Sequence, residues 1–497
     1  MAPSPQTQHN KGRMKLLHRF YEPLVLLYVL DKVQGDHFLP NSDRLPLNDA
    51  PPKELRRRFL SSLSYICDYK KGGDTITAIG AASNPLTYYV ACNKGPKDRV
   101  KPFLESILTK LGLIFELDKE QRKKVANEIL DICAEFSKKR IETYWDFLRG
   151  ALMKCGEALQ DDSARDQLRE MKEKLTECSE KPTALCRFCS FLMRPDRMTF
   201  IKERARITDE DRNYQSSFAI AKHYIGRLAF HVKVVKVFME AAIRIPELFV
   251  DPQVMLLKSP QSLIGPPPLR NKLTLDGLVN RMASTARDSL PELRSCLKAL
   301  NHQFDIERIV RQEYDNKNFK PRVHAELIVL EHFYQNRNTL QYLGNDPYVG
   351  CSKPACYCCS LYIREHPAGF DPPATHQKIY LNWLPPTSTE SVQVAGSDAA
   401  LHEKTMLNKI VQSIRQRTMY QIKTQSGKRQ CHPDSVTGDT FSTRIISSIQ
   451  ELINPDGEED DDDVDRDVTA VARDFEHWVT AREPDEDSEG EGGVQLP

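Results

Sequence analysis

Four of the chain's thirteen cysteines fall within nine residues, "CSKPACYCC" from Cys351 to Cys359, and the first histidine of "PRVHAELIVLEHF", His324, stands 32 positions before Cys356. Thiols this crowded either crosslink or ligate. Crosslinking needs an oxidising compartment. The opening "MAPSPQTQHNKGRMK" is polar and has no apolar core before a small-residue cleavage site, so no secretory signal is expected. The protein is expected inside the cell, where thiols stay reduced. An odd number of mostly scattered cysteines is no disulfide framework either, which leaves metal binding, reactivity or plain burial. Burial is the expectation for isolated ones such as Cys67, Cys92, Cys133 and Cys155.

Cys356 and Cys359 are three apart, and the apolar run "CYCCSLYI" after Pro354 suits a helix starting near that proline. Both thiols then project from one face of a first turn, where the partial positive charge of a helix N-terminus favours thiolate. Cys358 points elsewhere, and Cys351 ends a strand-like "YVGCSK". The stretch "VHAELIVLEHF" reads as a second helix beginning after "KPR", with His324 and Glu326 in its first turn. Two residues on a helix turn through about 200°, so Glu326 is expected beside a metal held by His324 rather than as a ligand. One imidazole and two thiolates give zinc three protein ligands. The fourth tetrahedral position is left for water, the composition of a catalytic site.

"HAE" at 324 to 326 followed by Cys356 and Cys359 resembles the HxE and PCxxC pair of the zinc-dependent cytidine and nucleic acid deaminase superfamily. "GCSKPACYCC" looks more particularly like a fungal branch of it. The resemblance covers Arg322 to Ile363, less than a tenth of the chain. It implies zinc bound by His324, Cys356 and Cys359, proton shuttling by Glu326, and hydrolytic deamination of a nucleobase in a nucleoside or in single-stranded DNA or RNA. Two departures stand out. Ala355 separates Pro354 from Cys356, and the two strands that open the family fold are missing before the histidine, where Leu293 to Val310 reads as helix. Those strands are short, degenerate, or supplied from elsewhere in the chain.

Residues 14–256 show helical spacing, for example at Val125, Ile129, Cys133 and Phe136, and few strand signals. The segment "LKSPQSLIGPPPLRNK", 257–272, cannot continue a helix and reads as a linker. The expected architecture is α+β. A disordered start over 1–13 and a mainly α-helical half over 14–256 precede the linker. A deaminase-like three-layer α/β/α domain over 273–455 follows, with the "KIYLNWLPP" segment, Lys378 to Pro386, as a short strand. The run "DGEEDDDDVDRD" opens an acidic, disordered tail over 456–497. From Asn454 onward the net charge is −14, leaving +15 on residues 1–453. The longest apolar run, "PLVLLYVL" from Pro23 to Leu30, is far short of the roughly 20 residues of a membrane helix, so no membrane partner is expected.

Two competing readings follow from the same residues, and a second CxxC stands elsewhere in the chain. A structural zinc site in a binding or scaffold protein takes Cys351 as fourth ligand and needs no carboxylate. A redox dithiol at Cys356 and Cys359 leaves His324 without a task. "CRFC", Cys186 to Cys189, is a second CxxC with Cys178 upstream, but it has no HxE partner and is expected buried in a helix. Tyr380 and Trp383 are candidates for stacking on a base, with a place in the core as the plainer expectation.

Overall fold

The computed structural model describes residues 5–30, 45–210, 216–260, 274–283, 289–315, 320–386 and 397–424. Most of the expected linker and the whole acidic tail lie outside the described residues. Helices α1 (Pro5–Leu30) and α2 (Pro52–Cys67) precede a hairpin of β1 (Thr77–Ser83) and β2 (Thr87–Cys92). Seven helices follow: α3 (Val100–Gly112), α4 (Lys119–Phe136), α5 (Lys138–Ala158), α6 (Asp162–Ser179), α7 (Pro182–Leu192), α8 (Thr199–Glu210) and α9 (Ser217–Arg244). Then come β3 (Gln253–Leu256), α10 (Leu275–Met282), α11 (Leu290–Phe304), α12 (Ile306–Tyr314) and α13 (Ala325–Gln335). β4 (Gln341–Tyr342), β5 (Gly350–Cys351), α14 (Tyr357–Glu365) and α15 (Asp398–Thr424) complete the order. The first half is thus helix-rich, and the later region contributes helices to a mixed sheet.

The chain forms two compact units, and they do not succeed one another along it. One gathers Met1–Asp68, Gly72–Leu108 and Glu247–Val436, whereas Thr109–Pro246 belongs to the other. These units divide elsewhere than at the expected 257–272 linker. Strand pairing joins segments remote in sequence and leaves no local mark at a boundary. Of the expected start over 1–13, the described residues open α1 at Pro5.

In the first unit the sheet is ordered β3-β2-β1-β4, with β5 also on β1. β1 and β2 pair antiparallel from Thr77↔Cys92 to Ala82↔Thr87, and β3 runs parallel to β2. On its other edge β1 takes β4 at one end, Ala82↔Tyr342, and β5 at the other, Ala78↔Cys351 and Ile79↔Gly350. The hairpin that packs against the histidine helix comes from more than 230 residues upstream of it, β1 and β2. Lys378 to Pro386 forms no ladder strand, and Trp383 there makes an isolated parallel bridge to Arg322.

Small residues in β1, "TAIGAAS", let helices close on both faces of the sheet. A Cβ on Gly80 would meet Val329 Cγ1 at 2.7 Å and Phe333 Cε2 at 2.8 Å, so α13 lies directly on the strand. Ile79 and Gly350 are cross-strand partners and face the opposite way. There a Cβ on Gly350 would meet the Leu60 carbonyl carbon at 2.4 Å and Ser61 N at 2.6 Å, both backbone atoms of α2. Sheet between α2 and α13 makes three layers. The apolar run of α1 is buried in the same core, with Leu24, Leu26 and Leu27 fully covered. Among the described residues no helix is long and apolar enough to cross a membrane.

The second unit packs α4 to α9 around Leu148, Leu175, Leu185, Ile201 and Ile225. Asp118 starts α4 with a reciprocal capping box to Gln121, and Ser216 caps α9 through the Ala219 amide. Cys186 and Cys189 sit on α7 and Cys178 on α6, all in this core. They belong to neither of the metal-sized side-chain groups found among the described residues.

Candidate metal centre

His324 and Cys356 each occupy the N-cap of a helix, α13 and α14 respectively. An N-cap side chain ordinarily bends back to accept one of the orphan amides of the first turn. Neither does so here, because other segments supply acceptors. The Ala325 amide donates to Asn93 Oδ1 at 2.8 Å, and the Tyr357 amide to the Lys378 carbonyl at 3.0 Å. Asn93 follows β2 and is itself pinned, its own amide on the Ile76 carbonyl at 3.0 Å and Nδ2 on the Gly73 carbonyl at 2.8 Å. The two N-cap side chains are therefore spared for each other.

His324 Nδ1 lies 3.3 Å from Cys359 Sγ and 3.6 Å from Cys356 Sγ. Zn–N bonds near 2.0 Å and Zn–S bonds near 2.3 Å, spread tetrahedrally, put such atoms about 3.5 Å apart. The three side chains fit that ion, and all three ligand atoms lie within 4.8 Å of one another. Helix α14 starts at Tyr357 rather than at Pro354, which places Cys356 at the N-cap and Cys359 three residues on. Cys351 is not in the group, and its Sγ faces the Val349 carbonyl at 3.7 Å.

Glu326 is buried, with Oε1 4.0 Å from His324 Nδ1. The expected 200° divergence does not apply because His324, with ψ of 150°, precedes the helix proper. The carboxylate stands beside the centre. Burial opposes charge on Cys356, yet the Cys359 thiol and the His324 ring hold its pKa below the usual thiol range. Burial and the Cys356 charge push Cys359 well above that range. Burial also opposes charge on the His324 ring, but the neighbouring Cys356 sulfur raises its pKa. Metal binding to such a set of donors is coupled to loss of their protons.

The aromatic pair separates. Tyr380 is half-buried, its ring edge-on to His324 at 6.3 Å between centroids. Trp383 is completely buried and donates its indole N–H to Cys359 Sγ at 3.1 Å, which removes it from any role in stacking on a base.

A second group, Glu331 with His366 and His402, was not anticipated. Glu331 Oε1 accepts from Tyr362 at 2.5 Å and lies 3.2 Å from His366 Nε2 and 3.3 Å from His402 Nε2. Two histidines and a carboxylate are also a metal-sized donor set. However, the Ala368 amide donates to His366 Nδ1 at 3.2 Å, which leaves the ring proton on Nε2, facing Glu331. The group is thus a knot joining α13, the end of α14 and α15, with Tyr362 and His402 hydrogen-bonded to Glu331 and His366 at ion-pair distance from it. Burial opposes ionisation of Glu331, but His366, His402 and Tyr362 hold its pKa down to about 2. Nothing in the one-dimensional pattern pairs residues 331, 366 and 402.

A family model described as "OTT_1508_deam:-like deaminase" matches residues 323–387, the stretch that carries His324, Glu326, Cys356, Cys359 and Trp383. No curated protein and no solved structure matches the chain.

Proposed function

We propose that the protein is a zinc-dependent hydrolytic deaminase acting on a nucleobase in a single-stranded nucleic acid. The observation that carries this reading is the meeting of His324, Cys356 and Cys359 at two helix starts with the Glu326 carboxylate alongside. The deaminase-like family model over the same residues supports it.

Zinc held by His324, Cys356 and Cys359 would supply a water acidified to near neutrality. Glu326 would carry one proton of the water to a ring nitrogen of the base as oxygen is added to the amino-bearing carbon. It would then carry the proton remaining on that oxygen to the amine, so that the C–N bond breaks and ammonia leaves. The net change is water in and ammonia out, with carbonyl in place of amine. Burial of Glu326 keeps bulk water from competing for the proton.

A polymer is favoured over a free nucleoside by the charge of the segments around the two helix starts. Lys94, Lys97 and Arg99 follow Asn93, Lys320 and Arg322 precede His324, Lys353 precedes Cys356, and Lys378 carries the carbonyl that caps α14. All seven are exposed or half-buried; Asp74 pairs with Arg322 and Lys94, and Asp98 is the other acidic residue in these segments. Phosphates attract such a rim, and an unpaired strand presents its bases without the cost of extrusion from a duplex. Half-buried Tyr380 offers a face beside His324.

The test is ammonia release by the zinc-loaded chain from cytidine, adenosine, single-stranded DNA and single-stranded RNA, beside Glu326→Ala with its zinc content measured. Turnover on a polymer that falls by about 10²-fold or more in the variant while zinc stays bound is the expected result. Absence of turnover on every substrate by a chain holding zinc overturns the proposal.

A further inference from the structure

We propose that Trp383 is a positioning residue that tunes the metal centre, its indole N–H drawing electron density from the Cys359 thiolate. The inference rests on the metal-centre reading above and goes beyond it by assigning a role to a residue that is not a ligand. Indole carries a single polar group, a donor with no acceptor capacity. Trp383 is 0% exposed, so water is no alternative partner, and Cys359 Sγ at 3.1 Å takes the bond. A sulfur that accepts an N–H gives less charge to a metal, and the metal in turn becomes the stronger Lewis acid. The same bond fixes the Cys359 rotamer toward His324.

The surroundings hold the donor from several sides. The Trp383 carbonyl accepts from Tyr21 Oη at 2.7 Å, and the Phe20 ring lies 5.2 Å from the indole, so α1 backs it. Arg322 donates to the Asn382 carbonyl at 2.9 Å and accepts from the Leu384 amide at 2.8 Å. Arg322 is two residues before His324. One bridge therefore sets the ligand histidine and the donor to the ligand thiolate together.

The test uses the full chain loaded with cobalt, whose sulfur-to-metal charge-transfer absorption reports thiolate electron density. Trp383→Phe keeps an apolar ring and removes the N–H. The expected result is a shift of that absorption to longer wavelength at unchanged cobalt stoichiometry and unchanged circular dichroism, with ammonia release reduced about tenfold. An absorption at the wild-type position overturns the inference. Should the variant not fold, the wild-type chain loaded with NMR-active cadmium decides. Scalar coupling between the Trp383 indole proton and the metal is expected, and its absence is contrary. Cobalt–thiolate absorption missing from the wild type would instead sink the metal centre itself, so the two failures are distinguishable.

Discussion

Asn93 supplies the acceptor that the first amide of α13 lacks, and this releases His324 from capping its own helix. Asn93→Ala leaves the buried Ala325 N–H without a partner, at a cost of about 1–2 kcal/mol. Denaturant unfolding should register that loss, together with weaker metal retention than in the wild type. Glu331 gives a prediction in pH. Its folded pKa, about 2, lies below the unfolded value, so the stabilisation is complete above about pH 4.3 and is lost as pH falls through the folded value. Glu331→Gln should lower stability at neutral pH by about 1–3 kcal/mol. Its unfolding free energy should also vary less between about pH 4.3 and 2 than that of the wild type, as read by urea titrations at stepped pH. His324, Glu326, Cys356 and Cys359 were legible as candidates because ligand chemistry restricts both residue type and spacing. The Asn93 cap, the Trp383 donor and the Glu331 knot were not, since each joins residues whose only relation is three-dimensional.

Glycine decides how closely the layers approach. Gly350 faces α2 backbone, which cannot swing aside, whereas Gly80 faces the side chains of Val329 and Phe333. Gly350→Ala should therefore cost at least about 2 kcal/mol in chemical unfolding, and Gly80→Ala less, because side chains adjust where a main chain does not. Equal costs would contradict the layer geometry. The starts of α13 and α14 could be read from "KPR" and Pro354, although α14 begins three residues beyond its proline. β1 escaped notice because a strand buried on both faces loses its alternation, and "TAIGAAS" is a run of small residues. β4 and β5, two residues each, carry no periodicity at all.

At the scale of the whole molecule the unit that holds the metal centre is assembled from both ends of the chain. Helices α1 and α2 and strands β1 and β2 come from the first hundred residues, and the ligands from beyond residue 320. The segment 273–455 expressed alone lacks the central strand and the helix behind Trp383. It should show no cooperative thermal transition by circular dichroism and bind zinc no better than an unfolded peptide. A fragment that folds and retains zinc would refute the discontinuous unit. Composition could not reveal this arrangement, because the proline-rich segment marks a break in helix and not a break in packing.

The proposed open centre, with three protein ligands, distinguishes a site built for chemistry from a closed structural one. Zinc K-edge X-ray absorption on the purified full chain counts those ligands. Two sulfur ligands and two lighter ones, the imidazole nitrogen and an exchangeable oxygen, are the predicted shell. A third sulfur would bring in a further cysteine such as Cys351 and close the centre, leaving no position for water and overturning the deaminase proposal.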